Sequence, residues 1–337
     1  MRSECRSVPL PSLGVLRARG PDTRSFLQGQ LSNDLTRLTA DRALLAGYHN
    51  PQGRVIALLR VLQLAPDDLV AILPRELVGT VAQRLGRFVL RAKMRLADES
   101  PHWTITGIVG CEPASAMAQP LPPAATAAAG TTPSPATPSF ATPLPVSVNG
   151  VMRIDASLAL RVAQQPARWL LLSPAAQPLT VGGCSAAGVE LWQRLAIAAG
   201  EPQVYAATSE AFVAQMLNLD ALGAIAFDKG CYTGQEVIAR AHYRGKVKRR
   251  LQRFLVAAPA RLVPGDDGEL GDGRSFKVVD AAQRADGGCE FLAVTTIGTA
   301  AAATAAEGGA AGGNRPASPA AAPLGAQMLE LPYALPD

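Results

Sequence analysis

Two low-complexity stretches limit what this chain can fold into, because neither can take part in a hydrophobic core. Residues 112–147 are rich in Pro, Ala, Ser and Thr without periodicity, and residues 299–323 are rich in Ala and Gly. Their small side chains bury too little apolar surface to offset the entropy of ordering them. We therefore predict two flexible insertions, which leave residues 1–111, residues 148–245 and the remainder of residues 246–337 as ordered blocks.

The amino-acid composition is that of a globular protein long enough for two or three domains. Hydrophobic residues make up 48% of the chain and charged residues 18%, and the formal net charge is +5. This modest positive charge permits an anionic partner without requiring one. No run of about 18 apolar residues is present, so we expect no membrane span. The first residues lack the apolar segment of a secretory signal, and we expect a cytoplasmic protein.

The five cysteines, at positions 5, 111, 184, 231 and 289, are far apart in the sequence. Their odd number and the absence of a C-x-x-C or Cys/His pattern predict neither a disulfide framework nor a zinc or iron–sulfur site built by the chain itself. The expected setting is therefore the reducing cytoplasm, with no metal at the functional site.

Hydrophobic periodicity and turn residues predict an α+β protein, because strands occur in neighbouring runs instead of alternating with helices. In the first block we expect a short helix after Pro21, a hairpin of residues 43–49 and 54–64, a strand at 69–73, a helix at 74–87, and strands at 90–96 and 103–109. The second block contains a predicted helix at 188–199. Short strand-like pieces at 253–256, 276–279 and 291–295 predict a small antiparallel β-barrel.

The stretch KGCYTGQE, residues 229–236, places a cysteine between two glycines. Thr233 and Glu236 match the S/T-x-x-E capping box, which predicts the start of a helix at this point. Cys231 would then precede a helix N-terminus, where the partial positive charge and the nearby Lys229 favour a thiolate. These residues alone leave two interpretations open: a reactive thiol, or a small, buried, inert cysteine that fills a tight turn.

Several motifs together are similar to the signature of one protein family. They comprise residues 217–220 (LNLD), 229–236, 239–240 and 244–249 (RGKVKR), with support from residues 26–34, 50–54, 199–202 and 331–333. In these residues the chain resembles the YgfZ proteins, which are folate-binding relatives of the glycine-cleavage aminomethyltransferase and support iron–sulfur proteins and some tRNA modification. The resemblance extends over most of the chain outside the two insertions.

The resemblance implies an aminomethyltransferase-like folate-binding fold. Residues 1–111 and 148–245 would form two interleaved domains, and residues 246–337 would form the C-terminal barrel. A pocket for tetrahydrofolate or another reduced folate is implied where the domains meet. The implied folate contacts are Trp192, Asn218, Asp220, Gln235, Glu236 and Arg240. Cys231 is then the reactive thiol, with Lys229 beside it, and iron–sulfur client or assembly proteins are the expected partners.

The chain also departs from the family pattern. Ala198 stands where the family often has a glutamate, and alanine cannot accept hydrogen bonds from the pterin edge. The first strand, beginning at Leu13, lacks a family tryptophan, and Trp192 itself is either a folate contact or a core residue of an amphipathic helix. Ala57 and Leu58 occupy the positions of the acidic pair of the aminomethyltransferases. Neither can carry a proton or a charge, which argues against glycine-cleavage chemistry.

A basic segment follows the cysteine motif. Residues 240–253 contain seven Lys or Arg and no acidic residue, including Arg240, Arg244, Lys246, Lys248, Arg249 and Arg250. Phosphate contacts supply most non-specific affinity for RNA, so this segment predicts a contact with tRNA or with the glutamate tail of a folate. The alternative is the solvated face of a strand that enters the barrel. His242, eleven residues after Cys231, is expected at the surface or in a structural role, which weakens the case for a Cys–His hydrolase.

The resemblance implies a non-catalytic or weakly catalytic folate-binding accessory protein in the maturation or repair of iron–sulfur enzymes, including those that modify tRNA. A folate-dependent one-carbon transferase or demethylase is the first alternative, and a tRNA-binding module is the second. A bound reduced folate would favour the first two functions, whereas a salt-labile RNA would favour the third.

Overall fold

The computed structural model describes residues 4–111, 117–120, 142–245, 247–257, 259–298 and 323–336. The α-helices in these residues are α1 (Thr23–Gln28), α2 (Arg75–Gly86), α3 (Val189–Ala198) and α4 (Gln235–Arg244). The strands are β1 (Arg6–Pro9), β2 (Leu13–Arg19), β3 (Leu44–His49), β4 (Val55–Ala65), β5 (Asp68–Pro74), β6 (Arg95–Asp98), β7 (Trp103–Val109), β8 (Met117–Pro120), β9 (Thr142–Pro143), β10 (Val151–Ile154), β11 (Ser157–Ala163), β12 (Arg168–Pro174), β13 (Leu179–Val181), β14 (Ser185–Ala186), β15 (Arg249–Val256), β16 (Asp267–Glu269), β17 (Ser275–Gln283), β18 (Cys289–Thr296) and β19 (Gln327–Leu329). Strands dominate and follow one another in runs, which confirms the predicted α+β class.

The chain divides into two compact units and passes between them more than once. The first unit comprises Met1–Leu27, Leu35–Leu44 and Leu59–Trp192. The second unit comprises Gln28–Asp34, Leu45–Leu58 and Gln193–Asp337. Two short N-terminal segments therefore belong to a unit otherwise built from the C-terminal part of the chain. Across the described ranges, no helix is both long enough and apolar enough to cross a membrane.

The first unit contains a six-stranded sheet of order β10-β11-β12-β7-β1-β14. Its pairings are antiparallel except for that of β1 with β14, which is parallel. In a second sheet, β5 lies between β4 and β2, and β6 lies beyond β2. Apolar residues of both sheets, such as Val8, Val70 and Leu158, share one core. Helix α2 buries Leu77 and Val81, which are four residues apart on one helical face.

The strand predicted at residues 90–96 is confined to β6, so this prediction is largely wrong. Leu90 is 86% exposed. Pairing with β2 reaches only as far as Arg95, which lies opposite Arg19. Leu90 therefore contributes hydrophobicity without burial, whereas Met94 is buried without pairing in a strand, and hydrophobicity alone misplaced the start of the strand.

Parts of the predicted insertion at residues 112–147 are ordered. β8 and β9 lie inside it, pair with each other and extend a small sheet through the pairing of β8 with β13. Ala118 and Leu144 are buried in a core that includes Trp169. Apolar burial therefore orders both ends of this segment. The rest of it, residues 112–116 and 121–141, and most of the second predicted insertion lie outside the described residues.

The second unit contains a five-stranded antiparallel sheet of order β16-β17-β18-β15-β19. Leu324, just before β19, donates its amide to the carbonyl of Glu269 (2.7 Å) and accepts from the amide of Gly271 (3.0 Å). These bonds link the two edges of the sheet. Phe254 and Phe276 each pack on the ring of Phe291, with ring centres 5.3 and 5.6 Å apart. This antiparallel sheet, its aromatic core and the isolated parallel bridge between Leu270 and Leu324 confirm the predicted small C-terminal barrel.

Candidate functional site

The ammonium of Lys229 fixes the start of the 229–236 segment in the second unit. Its Nζ donates to three backbone carbonyls, those of Gln28 (2.6 Å), Leu31 (2.7 Å) and Asn33 (2.9 Å). Burial lowers the pKa of Lys229 to about 8, and the charge of Asp34 opposes this shift. The three acceptors also favour the charged form, so Lys229 is an ammonium at neutral pH. The lysine therefore ties the segment to residues 28–33, while its effect on the Cys231 thiol stays a prediction.

Cys231 is an exposed free thiol. The next residue, Tyr232, is buried, and its ring centre lies 5.1 Å from Nζ of Lys229. Burial raises the pKa of Tyr232 to about 12. The chain thus directs the tyrosine inward and the thiol outward. Because Cys231 is exposed, the alternative of a buried cysteine that fills the turn is wrong, and the predicted reactivity of the thiol remains open to test.

Helix α4 begins at Gln235, and Gly234 occupies its N-cap position with φ of +83°. No side chain caps this end, so the predicted Thr233–Glu236 capping box is wrong. The close approach of another backbone explains the glycine, because a Cβ on Gly234 would lie 2.5 Å from the carbonyl oxygen of Asn50. Gln235 takes over part of the capping role: its amide donates to the carbonyl of Tyr232 (3.2 Å), and its Oε1 accepts from the Tyr232 amide (3.3 Å).

The hairpin turn between β3 and β4 supports the start of α4. Asn50 organises this turn, because its Oδ1 accepts from the amides of Gln52 and Arg54, each at 3.0 Å. A Cβ on Gly53 would lie 3.0 Å from Cβ of Val237 on α4. The predicted Asn50–Arg54 turn of the family motif therefore packs directly beneath the segment that carries Cys231.

His49, at the end of β3, lies close to Tyr232, with ring centres 6.3 Å apart. It is 1% exposed, and neither ring nitrogen has a hydrogen-bond partner among the described residues. Burial lowers the pKa of His49 to about 3, and the backbone of Gly47 opposes this shift. His49 is consequently a neutral imidazole at physiological pH. In the described part of the chain, no histidine hydrogen-bonds to Cys231.

Asn218 and Asp220, two predicted folate contacts, take part in an internal network. Asn218 has φ of +55°, and its Nδ2 donates to the carbonyl of Leu251 (3.0 Å) and to the hydroxyl of Tyr333 (3.3 Å). Asp220 accepts two hydrogen bonds from Arg250, at 2.9 and 3.0 Å. Both side chains of this ion pair are 4% exposed. Through Asn218 and Asp220 the LNLD motif is therefore tied to strand β15 of the barrel. A role of these two residues in folate binding stays a prediction.

The basic segment is divided between the surface and the interior. Arg240, Arg244 and Lys248 are exposed. Arg250 is buried in its pair with Asp220, so its inclusion in the predicted RNA-binding surface is wrong. Arg249 is partly buried and directs Nη2 to the carbonyl of Val294 (3.5 Å). Lys246 lies outside the described residues.

Gln235, Glu236 and Arg240 share helix α4, with Glu236 and Arg240 exposed one turn apart. Two aromatic rings of this helix, those of His242 and Tyr243, contact the ring of Phe227. His242 stacks on Phe227 with ring centres 3.7 Å apart, and Tyr243 meets both rings edge-on. His242 is exposed, as the sequence predicted. The face of α4 therefore combines carboxylate, guanidinium and aromatic groups.

Trp192, the remaining predicted folate contact, belongs to the first unit and packs against its core. The guanidinium of buried Arg168 lies 5.1 Å from the centre of its ring. A Cβ on Gly107 would lie 2.4 Å from the indole, so glycine at this position makes room for the tryptophan. Trp192 therefore has a structural role in the first unit, and a contact with folate stays a prediction.

A cleft of about 580 Å³ also lies in the first unit. Its charged lining residues are Arg17, Arg19, Lys93, Arg95 and Glu99. Asp68 accepts two hydrogen bonds from Arg17 and lies 3.5 Å from Arg19. Much of the positive charge is thus already paired, and none of the predicted site residues lines this cleft.

A second cysteine site, which the sequence did not predict, lies in the first unit. The Sγ atoms of Cys5, Cys111 and Cys184 all lie within 4.8 Å of one another. Cys5 is within disulfide-bonding distance of both of the others. The prediction that the cysteines form no disulfide framework therefore fails for Cys5, which lies at bonding distance from two others. Strand pairing brings these residues together across 106 and 179 positions of sequence, and no local motif marks them.

The fold has a counterpart among solved structures. The chain superposes on glycine cleavage system aminomethyltransferase T from Bartonella henselae with a TM-score of 0.61 and 10% sequence identity, over 88% of this chain and 79% of that chain. At this identity the likeness establishes a shared aminomethyltransferase T-like fold and nothing about activity. Heterotetrameric sarcosine oxidase from Corynebacterium sp. U-96 in complex with pyrrole 2-carboxylate covers 52% of this chain and 78% of its own, with 16% identity, and its TM-score of 0.34 carries no argument. No protein-family model matches the chain.

Proposed function

We propose that this chain is a folate-binding accessory protein that supports the maturation or repair of iron–sulfur enzymes, including those that modify tRNA, in the manner of the YgfZ proteins. The observation that carries the proposal is the presentation of Cys231. Its thiol is exposed on a turn whose backbone is held by the buried ammonium of Lys229 on one side and by the left-handed Gly234 on the other. A turn held this firmly gives the thiol a fixed position toward a partner.

Lys229 and helix α4 flank Cys231 in the sequence. The residue precedes the ten-residue helix α4, whose free amides carry partial positive charge. The charged Lys229 lies two residues before it. We propose Cys231, exposed on this turn, as the reactive element of the function, with Lys229 holding its position.

An accessory role fits the chain better than glycine-cleavage chemistry. Ala57 and Leu58 lie in β4, and both are buried. These are the positions at which the aminomethyltransferases carry an acidic pair, and an alanine and a leucine can neither transfer a proton nor hold a charge. The shared fold is thus proposed to serve binding, and aminomethyl transfer is not expected.

Tetrahydrofolate is the proposed ligand. Exposed Arg240 and Arg244 on α4 supply cations for its anionic glutamate tail, and Gln235 and Glu236 supply polar groups on the same helix. Ala198, at the end of α3, offers no acceptor for the pterin edge. We therefore expect weak binding that a carboxylate at position 198 would strengthen.

A tRNA-binding module is the second candidate function, and the aromatic group beside α4 favours it. Tyr243 is 68% exposed and lies next to the stacked Phe227 and His242. Exposed rings flanked by Arg240 and Arg244 can stack on unpaired bases while the guanidinium groups contact phosphates. In the accessory role, the same surface would contact the tRNA substrate of an iron–sulfur enzyme.

Ligand capture distinguishes the two functions. The purified chain is titrated with tetrahydrofolate while its melting temperature and tryptophan emission are recorded, with Trp192→Phe as the control for the origin of the emission change. A ligand that prefers the native state must raise the melting temperature. Ala198→Glu should raise it further at the same ligand concentration. If saturating folate changes neither signal and a salt-labile RNA co-purifies, the tRNA-binding module replaces the folate proposal.

The role of Cys231 is tested in cells that lack the native protein. Cys231→Ser should abolish support of an iron–sulfur enzyme that modifies tRNA, measured as the amount of its modified nucleoside, while the melting temperature of the purified variant is unchanged. Cys289→Ala is the matched control, because it removes a buried thiol elsewhere in the second unit. Full rescue by Cys231→Ser would show that the thiol is not the reactive element.

A further inference from the structure

Three cysteines stand side by side at one end of the six-stranded sheet. Cys5 precedes β1, Cys111 follows β7 and Cys184 precedes β14. β1 pairs with both neighbours, so that Arg6 lies opposite Val109 on one side and Ser185 on the other. Adjacent strands are separated by about 4.8 Å. The sheet itself therefore brings the three thiols together, and no flexible loop has to close for them to meet.

The valence of sulfur limits what this arrangement can be. Cys5 Sγ is within bonding distance of Cys111 Sγ and of Cys184 Sγ, but one sulfur atom forms only one disulfide bond. At least one of the three sulfurs is therefore always a thiol beside the other two. All three sulfurs can be bonded at the same time if three thiolates bind one cation.

The separation of the Cys111 and Cys184 sulfurs suits a single ion. Two thiolates bound to one zinc ion, with Zn–S bonds of about 2.3 Å at tetrahedral angles, lie roughly 3.8 Å apart. Cys111 Sγ and Cys184 Sγ are separated by 3.6 Å. Cys5 Sγ lies between them and would move outward by rotation about its Cα–Cβ bond. In a 4Fe–4S cluster each cysteine binds a different iron and the thiolates stand further apart, so three sulfurs within 4.8 Å of one another argue against a cluster of that type.

The surroundings of the sulfurs favour a soft cation. Cys111 is buried, and Cys5 and Cys184 pack against an apolar core that includes Ile108, Trp169 and Val181. Thiolates in an apolar setting select zinc or monovalent copper over magnesium or calcium, which prefer oxygen ligands. We propose that Cys5, Cys111 and Cys184 form a binding site for one thiophilic d¹⁰ cation, Cu⁺ or Zn²⁺. On binding, each thiol releases its proton to solvent, and no electron is transferred.

This site is separate from the proposed function, because it contains neither Cys231 nor any predicted folate contact. It also needs no further protein partner. Three thiolates complete a trigonal site for Cu⁺, whereas for Zn²⁺ they leave a fourth position that a water molecule can fill. The site therefore predicts a metal content of one ion per chain, whether or not the chain binds folate.

The test uses the full chain, reduced and freed of metal without oxygen, in two arms. One arm adds Zn²⁺, with Co²⁺ as its spectroscopic substitute, and the other adds Cu⁺ as an acetonitrile complex. Bound metal is counted by mass spectrometry after gel filtration. The wild-type chain and the controls Cys231→Ser and Cys289→Ala should each retain one equivalent, and Co²⁺ should produce thiolate charge-transfer absorption. The arm in which metal is retained identifies the ion.

Cys184→Ser should weaken binding at least as much as loss of an outer-shell partner does, on the order of 100-fold, and should abolish the charge-transfer absorption. Cys5→Ser, in the segment before β1, provides a second variant if Cys184→Ser melts early. Retention of one equivalent by both variants would overturn the proposal. So would a reduced wild-type chain that takes up neither cation, or loss of metal caused by Cys231→Ser.

Discussion

Cys231 and the cluster of Cys5, Cys111 and Cys184 differ in how the fold holds their thiols in position. Cys231 is alone and exposed, and the residues that hold its turn are not sulfur ligands but a lysine, a glycine and a hairpin. In the cluster the thiols are each other's neighbours, and the strands that carry them hold them. The first arrangement suits a thiol that meets an external partner. The second suits thiols that act together on one small ion.

The comparison also shows where the stabilising interactions lie. Around Cys231 they come from residues that the thiol does not touch, so the cysteine can change while the turn persists. In the cluster the pairing of β1 with β7 and β14 positions all three cysteines. We therefore expect substitutions at Lys229 and Gly234 to affect stability, and substitution of Cys231 itself to affect only chemistry. The following predictions, from the largest effect to the smallest, test that contrast.

Lys229→Met should cause the largest loss of stability. It removes three hydrogen bonds from a charged donor and leaves three carbonyl groups without it. A hydrogen bond to a charged group contributes about 1.5–3 kcal/mol, and water recovers part of the loss, so we expect the free energy of unfolding to fall by about 3 to 4 kcal/mol. Urea unfolding measures the change. Exposed Lys248→Met is the control, with an expected change below about 0.5 kcal/mol. Equal effects of the two substitutions would contradict the anchoring role of Lys229.

His49→Phe should change the pH dependence of stability. The folded pKa of about 3 lies below the ordinary value of 6.5, so the unfolded chain takes up the proton first. Stability is then fully present above pH 6.5 and is lost as the pH falls toward 3, by about 3 kcal/mol at pH 4. Phenylalanine cannot be protonated, and this acid-dependent loss should disappear from unfolding curves recorded between pH 4 and 7.

Asp280 provides the opposing control for that experiment. Burial raises its pKa from 3.8 to about 6, and hydrogen bonds from Gln193 and Tyr205 oppose the shift. The folded chain therefore holds this proton between pH 4 and 6, and stability falls as the pH rises through that window, by about 3 kcal/mol in total. In Asp280→Asn, the loss of unfolding free energy with falling pH that His49 causes should be more visible. In His49→Phe, the loss with rising pH that Asp280 causes should be revealed. Identical profiles for both variants would contradict the neutral, buried state of His49.

Gly234→Ala and Gly230→Ala form a matched pair on either side of Cys231. Gly234 has φ of +83°, and an added Cβ would lie 2.5 Å from the Asn50 carbonyl oxygen, so alanine should cost about 2 kcal/mol. Gly230 has no atom within 4 Å of an added Cβ, and alanine there should change stability by less than about 0.5 kcal/mol. Thermal melting of the two variants measures the difference. A neutral Gly234→Ala would mean that the hairpin does not fix the turn.

Cys231→Ser should have the smallest effect on stability, below about 0.5 kcal/mol, because the side chain is exposed and makes no hydrogen bond within the described residues. The substitution should, however, remove the site at which a thiol reagent labels the native chain fastest. Brief treatment of the native chain with iodoacetamide, followed by peptide mass spectrometry, should modify Cys231 well before Cys289, which is buried and whose pKa is raised by burial. Faster labelling of Cys289 would contradict the assigned exposure of the two thiols.

Local patterns predicted most elements of the first block and the strands of the barrel, but none of the strands β10 to β14. β7 and α2 follow from periodicity and turn residues within one residue of their observed ends, and the strands of the barrel were located by their Gly/Asp boundaries. The start of β6 was misplaced, because exposed Leu90 contributes hydrophobicity without burial. Ala118 and Leu144 show the opposite error, since a segment of small residues is ordered when a core such as that around Trp169 accepts it.

The candidate site was predicted less completely, because its interactions join distant parts of the chain. The motif around Cys231 drew attention to the thiol, yet the partners of Lys229 lie about two hundred residues away and have only backbone groups to offer. Because every residue has a backbone carbonyl, no pattern of side chains predicts which carbonyls will accept these hydrogen bonds. Thr233 and Glu236 have the composition of a capping box, but the approach of Asn50 to Gly234 decides how the helix begins. The cysteine cluster depends entirely on strand order.

The anchoring of Lys229 has a consequence for the order of events during synthesis. Residues 28–33 leave the ribosome early, but the ammonium that their carbonyls accept follows 196 to 201 residues later. At about 5–20 residues per second, this interval is roughly 10 to 40 s. Meanwhile the flanking segments, which belong to the first unit, can already pair locally. Contacts of such long sequence separation slow folding, so the region beneath Cys231 is expected to be among the last to become native in a newly made chain.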